Sequence, residues 1–315
     1  AHGLLVMLSL DLPLQFTMVI LVGLGVAVAQ LSEVRTRSKL VVLGFWSGLA
    51  MALTAVVVLA LDWPVNVEGY GTQVLFKAML ALSTGIVTGM FAQAVLPIVE
   101  RIFNITTAMT LKELSDASHP LLRRLAQEAP GTFQHSLHMG GVSEAAAEAI
   151  NADGRLCKVG AMYHDIGKIN KPMYFVENQG GGPNRHSKLS PAMSLLIIVG
   201  HVKDGMEMAR EYNIPRVLRH FIESHHGTTL VEYFYHAAKQ QQEDADAPAP
   251  SEFEYRYPGP KPQTREAAIL MLADGMEGAA RSMPEPTPAR LEQLVHRMAQ
   301  KRLMDGQLDE GHLTL

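Results

Sequence analysis

Three apolar segments in the first hundred residues constrain this chain more than any other feature. They lie at about 14–31 (LQFTMVILVGLGVAVAQL), 40–61 (LVVLGFWSGLAMALTAVVVLAL) and 74–98 (VLFKAMLALSTGIVTGMFAQAVLPI). Roughly 20 apolar residues in a helix cross the hydrocarbon core of a bilayer. Lipid offers the backbone no hydrogen-bond partners, so a segment of this kind must be helical. Buried helices of a soluble protein are also apolar, but three such runs in succession, rich in Gly and small residues, fit membrane spans better. A cleaved signal peptide does not fit, because there are three runs and no cleavage pattern. Lys77 sits near the start of the third segment, where its ammonium reaches the interface.

The short loops set an orientation. Residues 32–39 (SEVRTRSK) carry Arg35, Arg37 and Lys39, whereas 62–73 (DWPVNVEGYGTQ) carry no Lys or Arg. The positive-inside rule places the first loop in the cytoplasm and the second outside. The third span then runs inward, and everything after Glu100-Arg101 is expected in the cytoplasm. Residues 3–10 read as the stump of an earlier span, and a chain that opens at Ala1 inside an apolar run is expected to be cut at its N-terminus.

Beyond residue 100 the composition changes. Of the 13 His in the 315-residue chain, all but His2 lie there, with most of the charge. A break of this kind marks a domain boundary, and about 200 residues suffice for one well-packed core. Cys157 is the one cysteine, which excludes a disulfide framework and a multi-cysteine zinc site and suits a cytoplasmic compartment. The expected organisation is a transmembrane region over 1–100, coupling helices over 101–134 (with KELSDASHPLLRRL) and a soluble domain over 135–315. Helical periodicity and composition predict helices at 136–151, 155–166, 190–212, 214–224, 229–240, 264–282 and 288–303. Ser190-Pro191 and Thr287-Pro288 pair a capping hydroxyl with a proline suited to a first helical turn. No run alternates as a strand would, so the fold class is all-α. Two stretches interrupt the helices: a Gly-rich loop at 177–189, read as a lid or substrate loop, and an acidic, Ala/Pro-rich linker opening 241–263, whose aromatic end is expected to be ordered.

The His and Asp residues of this half recur beside apolar neighbours. His135 opens a helix in GTFQHS, His164-Asp165 close another in AMYHDIGK, and His201 lies in IIVGHVKDG. His225-His226 end a helix in IESHHGTT, and Asp274 lies inside ILMLADGMEG. Each alone reads as a hydrogen-bonded core residue, and the His-Asp pair as a helix-end His with a capping Asp. A polar group flanked by core residues must be paired or ligating, because burying it alone is costly. Five such elements on five helical segments, with no Cys beside them, point to a His/carboxylate metal centre. Adjacent helical residues point about 100° apart, so Asp165, with two oxygens, is the natural bridge between two ions. The ligand types suit iron, manganese, zinc or cobalt, and two such ions act as a clamp on a phosphoryl group. Lys168 reads either as a fixed cation facing phosphate or as a helix C-terminal cation.

The ordered set H…HD…H…HH…D resembles the HD phosphohydrolase superfamily. The strings ELSDASHPLLRRLAQEAPGTFQHS, MYHDIGKI, LIIVGHVKDG, SHHGTTL and YPGPKPQTREAAILMLAD are similar to the seven-transmembrane HD family, which includes the PgpH-type cyclic di-AMP phosphodiesterases of bacteria. The resemblance covers the whole soluble half, and the three spans match the last part of that family's membrane region. It implies a helical HD bundle behind transmembrane helices, in a multi-pass protein of the bacterial plasma membrane with its HD domain in the cytoplasm. It also implies two divalent transition-metal ions, iron or manganese. His135, His164, Asp165 and Asp274 would hold the first ion, and Asp165, His201, His225 and His226 the second. Asp165 and Lys168 would be catalytic, and Lys168 and His186 would face substrate. The implied reaction is hydrolysis of cyclic di-AMP to linear pApA. The implied partners are a cyclic dinucleotide and the lipid bilayer, with no nucleic-acid polymer; a homo-oligomer is allowed. The family's extracellular domain and first spans are missing, and its members continue beyond GHLTL, so both ends are expected to be truncated. The GGG at 180–182 departs from the family in the expected substrate loop.

Three rivals remain. A cyclic di-GMP phosphodiesterase of the related type carries a GYP signature after its HH segment, absent from SHHGTTLVEYF. A ppGpp phosphohydrolase often uses one metal and needs fewer ligands. A receptor that binds nucleotide without turnover would be expected to have lost ligands, and all seven positions are filled.

Overall fold

A computed structural model describes residues 14–31, 36–62, 68–103, 105–244 and 248–313. The apolar stretch at 3–10, Arg35 and parts of both short loops, residues 245–247 of the linker and the last two residues lie outside the described residues. The chain divides into two compact units, 1–112 and 113–315.

In the first unit three helices follow one another: α1 (Leu14–Gln30), α2 (Ser38–Asp62) and α3 (Tyr70–Phe103). By length and composition α2 and α3 are able to cross a membrane, and α1 is a shorter apolar helix of 17 residues. Large apolar side chains point outward along all three, among them Leu24, Leu53 and Phe91. That surface suits lipid rather than water. What holds α2 to α3 is the absence of side chains. Gly48 packs on the backbone of α3 so closely that a Cβ there would lie 2.6 Å from the Leu82 carbonyl oxygen, and one on Gly89 would lie 2.6 Å from that of Leu40. Small residues at fourfold spacing allow this approach in membrane helices. Ser47 adds a hydrogen bond, donating to the Gly23 carbonyl at 2.7 Å and tying α2 to α1. At the end of α3 the buried Glu100 accepts from Arg37 (3.0 Å), Thr107 (2.5 Å) and Thr110 (3.0 Å).

A short helix, α4 (Ala108–Leu114), spans the division. The second unit then contains α5 (Pro120–Glu128), α6 (Pro130–Ala149), α7 (Gly154–Tyr163), α8 (Pro191–Glu211), α9 (Arg216–Ser224), α10 (Glu232–Asp244), α11 (Arg265–Arg281) and α12 (Pro288–Met304). Among the described residues there is no strand. One antiparallel bridge pairs Leu230 with Arg256 and orders the aromatic segment, burying Tyr255 and Tyr257. Capping is as the sequence suggests: Ser190 accepts from the Met193 N–H and Thr287 from the Arg290 N–H, each ahead of a first-turn proline. The core joins α6, α7, α9 and α11 through Met139, Ala161, Phe221, Ala267, Leu270 and Ala273. A second cluster, Leu195, Phe234, Ala238 and Tyr255, packs α8 against α10.

Three expectations need correction. α6 begins at Pro130, so His135 lies inside the helix rather than opening it. α7 ends at Tyr163, two residues before Asp165, and a 3₁₀ turn (Ile166–Asn170) follows. Gly167 presses that turn against α8, where an added Cβ would lie 2.5 Å from the Gly205 nitrogen. Residues 241–244, with the acidic Glu243 and Asp244, are helical and continue α10, so the linker begins later than expected.

Candidate metal centre

Three histidines are aimed by the same device. His164, His201 and His225 each turn Nδ1 to the backbone carbonyl three residues earlier: Ala161 at 2.6 Å, Ile198 at 2.5 Å and Ile222 at 2.9 Å. A carbonyl only accepts, so Nδ1 carries a hydrogen and Nε2 faces inward. His164 and His225 achieve this as the residues just past the ends of α7 and α9. His135, inside α6, differs. Its Nδ1 lies 3.3 Å from a Glu277 oxygen, and its Nε2 lies 3.0 Å from Asp274 Oδ1.

These rings converge on Asp165, which is buried. Its Oδ2 lies 3.2 Å from His164 Nε2 and 3.7 Å from His135 Nε2, while Oδ1 lies 3.3 Å from His201 Nε2 and 3.6 Å from His225 Nε2. The carboxylate thus divides its two oxygens between two groups of histidines. Asp165 stands directly ahead of the 3₁₀ turn. The ligand atoms fall into two clusters, each with its atoms within 4.8 Å of one another: His135, His164 and Asp165 in one, and His201, His225 and His226 in the other. His226 stacks on Tyr257, with ring centres 4.2 Å apart.

The donor set fits divalent cations. Buried Nε2 of His164 and Oδ1 of Asp165 have no hydrogen-bond partner in the protein. The Nε2 atoms of His201 and His225 lie 3.2 Å apart with both Nδ1 atoms already committed to carbonyls. Facing lone pairs at that distance repel unless a proton or a metal ion intervenes.

The charges balance sharply. Burial raises the cost of ionising Asp165, but His164 and Lys168 outweigh it and hold the carboxyl well below the usual range. Burial favours a neutral His164, yet Asp165 and Asp274 lift its pKa to about 10. Burial dominates at His225 and His226 and keeps both rings neutral, the form that ligates metal.

Lys168 lies 2.6 Å from Asp165 Oδ2 and 2.9 Å from Glu177, over the face of Phe175. Burial lowers its pKa, but those carboxylates more than compensate and keep it charged. Glu177 also accepts from the Thr132 hydroxyl at 3.0 Å, and its neighbour Asn178 accepts from the Thr132 N–H at 3.1 Å, which fastens the loop to α6. Lys168, Glu177, His135, His225, His226 and Asp274 line one cleft of about 300 Å³, with Glu277, Arg281 and Arg302 on its α11–α12 side. His186 is elsewhere. It faces the Tyr174 carbonyl at 2.9 Å and packs against Phe234, and it does not line this cleft.

Sequence reasoning singled out none of Glu177, Glu277, Arg281 and Arg302. Glu277 and Arg281 carried a signal, since they follow Asp274 by three and seven residues on one helical face. Glu177 and Arg302 reach the cleft only through tertiary packing.

The HD domain family model matches residues 132–279, and the model for 7TM receptors with an intracellular HD hydrolase matches 2–107. A cyclic-di-AMP phosphodiesterase, PgpH of Bacillus subtilis, is 41% identical over 284 residues, covering 90% of this chain and 39% of that protein. PgpH of Listeria monocytogenes is 36% identical over 299 residues, covering 95% of this chain and 40% of its own length. The chain therefore spans about two fifths of these curated relatives. The crystal structure of the L. monocytogenes PgpH HD domain in complex with cyclic-di-AMP is similar at a TM-score of 0.60 and 43% identity, covering 64% of this chain and 92% of that one.

Proposed function

Because the chain belongs to the 7TM receptors with an intracellular HD hydrolase, we propose that it is a membrane-anchored phosphodiesterase that hydrolyses cyclic di-AMP to linear pApA. The observation that carries this reading is the division of Asp165 between two groups of histidines. His135, His164, Asp165 and Asp274 would hold one divalent ion, and Asp165, His201, His225 and His226 a second. Iron and manganese suit this imidazole and carboxylate set. When bound, such a pair supplies water of lowered pKa and neutralises phosphoryl charge.

The chain's own residues do the rest. The Nδ1 contacts to carbonyls hold three rings in register before any ligand arrives, so little reorganisation accompanies binding. Glu277, at Nδ1 of His135, does the same for the fourth ring. Lys168 keeps a fixed positive charge at the cleft and meets a phosphate oxygen by loosening from Glu177. In the reaction the water oxygen bonds to phosphorus, the bond from phosphorus to the 3′ oxygen breaks, and that oxygen takes a proton. Arg37, just before α2, and Lys39, in its first turn, support a cytoplasmic catalytic unit under the positive-inside rule. The relatives named PgpH support adenine as the base.

The test is turnover by the full chain in detergent, loaded with manganese or iron and given cyclic di-AMP, cyclic di-GMP or ppGpp. Cleavage of cyclic di-AMP to pApA ahead of the others is expected. No turnover of cyclic di-AMP with two metals bound would sink the proposal. Preference for another of the three would reassign the substrate.

A further inference from the structure

Three cations line the cleft, and two are already neutralised. Lys168 is held by Asp165 and Glu177, and Arg281 by Glu277. The third is Arg302, in the last turn of α12. Among the described residues it makes no hydrogen bond or ion pair, and its Nε is buried without a partner. The carboxylates that act on its charge are Asp305, Glu232 and Asp274. Each is claimed by another residue: Asp305 by Arg256 at 3.0 Å, Glu232 by Lys301, and Asp274 by His135 at 3.0 Å. The guanidinium packs on α11 beside Gly275, next to Asp274. A Cβ there would lie 3.4 Å from Nη2.

A half-buried guanidinium stays charged, and leaving it uncompensated is costly. Resting on the proposed activity, we propose that Arg302 binds the second phosphodiester of a cyclic dinucleotide, the one that is not cleaved. Such a substrate carries two phosphates. The His/Asp cluster takes the scissile one, and the other needs a cation of its own on the wall of the same cleft. A planar guanidinium with uncommitted N–H groups suits two phosphate oxygens at once. The alternative is a cation that only complements the C-terminal dipole of α12.

A pair of substrates separates the two roles. Bis(p-nitrophenyl) phosphate has a single phosphodiester, whereas cyclic di-AMP and cyclic di-GMP each have two. Arg302→Gln and Arg302→Lys are made in the full chain, loaded with manganese, and metal content is measured alongside. For Arg302→Gln the KM for the cyclic dinucleotide is expected to rise about ten- to a hundredfold with kcat little changed. Kinetics with bis(p-nitrophenyl) phosphate and the metal content should stay at the wild-type level, and Arg302→Lys should fall between. Equal loss on both substrates, or no loss on either, overturns the assignment in favour of the structural role. A wild-type chain that cleaves bis(p-nitrophenyl) phosphate but neither cyclic dinucleotide overturns the proposed activity, and with it the ligand assigned to Arg302.

Discussion

His201 and His225 come from different helices and point their Nε2 atoms at each other across 3.2 Å, with both Nδ1 atoms bonded to carbonyls. In the absence of metal this arrangement needs a proton between the rings, and burial disfavours that proton on His225. Metal should therefore stabilise the fold rather than merely occupy it. A ligand at about a hundred times its dissociation constant adds about 2.7 kcal/mol. Manganese should raise the Tm of the second unit in a thermal scan by several degrees, and chelation should reverse the rise. A Tm indifferent to both would mean the rings are satisfied without an ion.

Asp165 is the residue whose loss should reach both groups of histidines. Asp165→Asn keeps the shape but removes the charge that faces four rings and Lys168. Metal content by mass spectrometry should fall from two ions per chain towards none, and activity should fall to background. His226→Ala, on one side of the divide, should lose a single ion. If Asp165→Asn retained two ions and its turnover, the bridging role would be wrong.

Metal uptake should be linked to pH through His164. Asp165 and Asp274 raise its pKa to about 10 against the effect of burial, so near neutrality the metal-free ring is protonated. The sign follows from a raised pKa. That proton stabilises the metal-free fold fully below the unfolded value, and the contribution is lost as pH rises through about 10. A metal must displace it, so apparent affinity rises with pH over that window. Calorimetric titration in buffers of different ionisation enthalpy should find about one proton released per chain at this position near pH 7. Zero release would mean that His164 is already neutral.

Much of this centre is legible before folding, for a physical reason. His164-Asp165, His225-His226 and Asp274 are polar groups in apolar surroundings, and such groups are buried only with partners. The helices were legible too, because their caps and periodicity are local. What was not legible is where helices stop for tertiary reasons. Past the end of α7 at Tyr163 the chain enters a 3₁₀ turn in which Gly167 meets α8, a contact that no local pattern marks. Glu177 and Arg302 were invisible because nothing local marks a loop carboxylate or a last-turn arginine as facing a cleft. His186, chosen from the Gly-rich loop, packs against Phe234 instead.

Glu177 fastens that loop to the centre through Lys168 and Thr132. Removing it leaves Lys168 with Asp165 alone and leaves the loop tied to Thr132 of α6 only through Asn178. Glu177→Ala should lose about 1–3 kcal/mol, the cost of stranding buried hydrogen-bonding groups. Residues 172–189 should also become more sensitive to limited proteolysis, with metal content unchanged. A loop cut no faster than wild type would show that Asn178 alone secures it.

The membrane unit makes a separate prediction. α2 and α3 approach through Gly44, Gly48, Gly85 and Gly89, and a side chain at Gly48 would meet the backbone of Leu82 and Gly85. Gly25 of α1 has open space around it, so it serves as the control. Gly48→Leu should push the helices apart, at a cost of about 1–3 kcal/mol or more for overpacking. Gly25→Leu should be nearly neutral, because it adds an apolar side chain to an open face. The comparison is read as thermal stability and yield of the full chain in mild detergent, with the metal content of the second unit as an internal reference. Equal tolerance of the two substitutions would mean that close backbone contact does not hold α2 to α3.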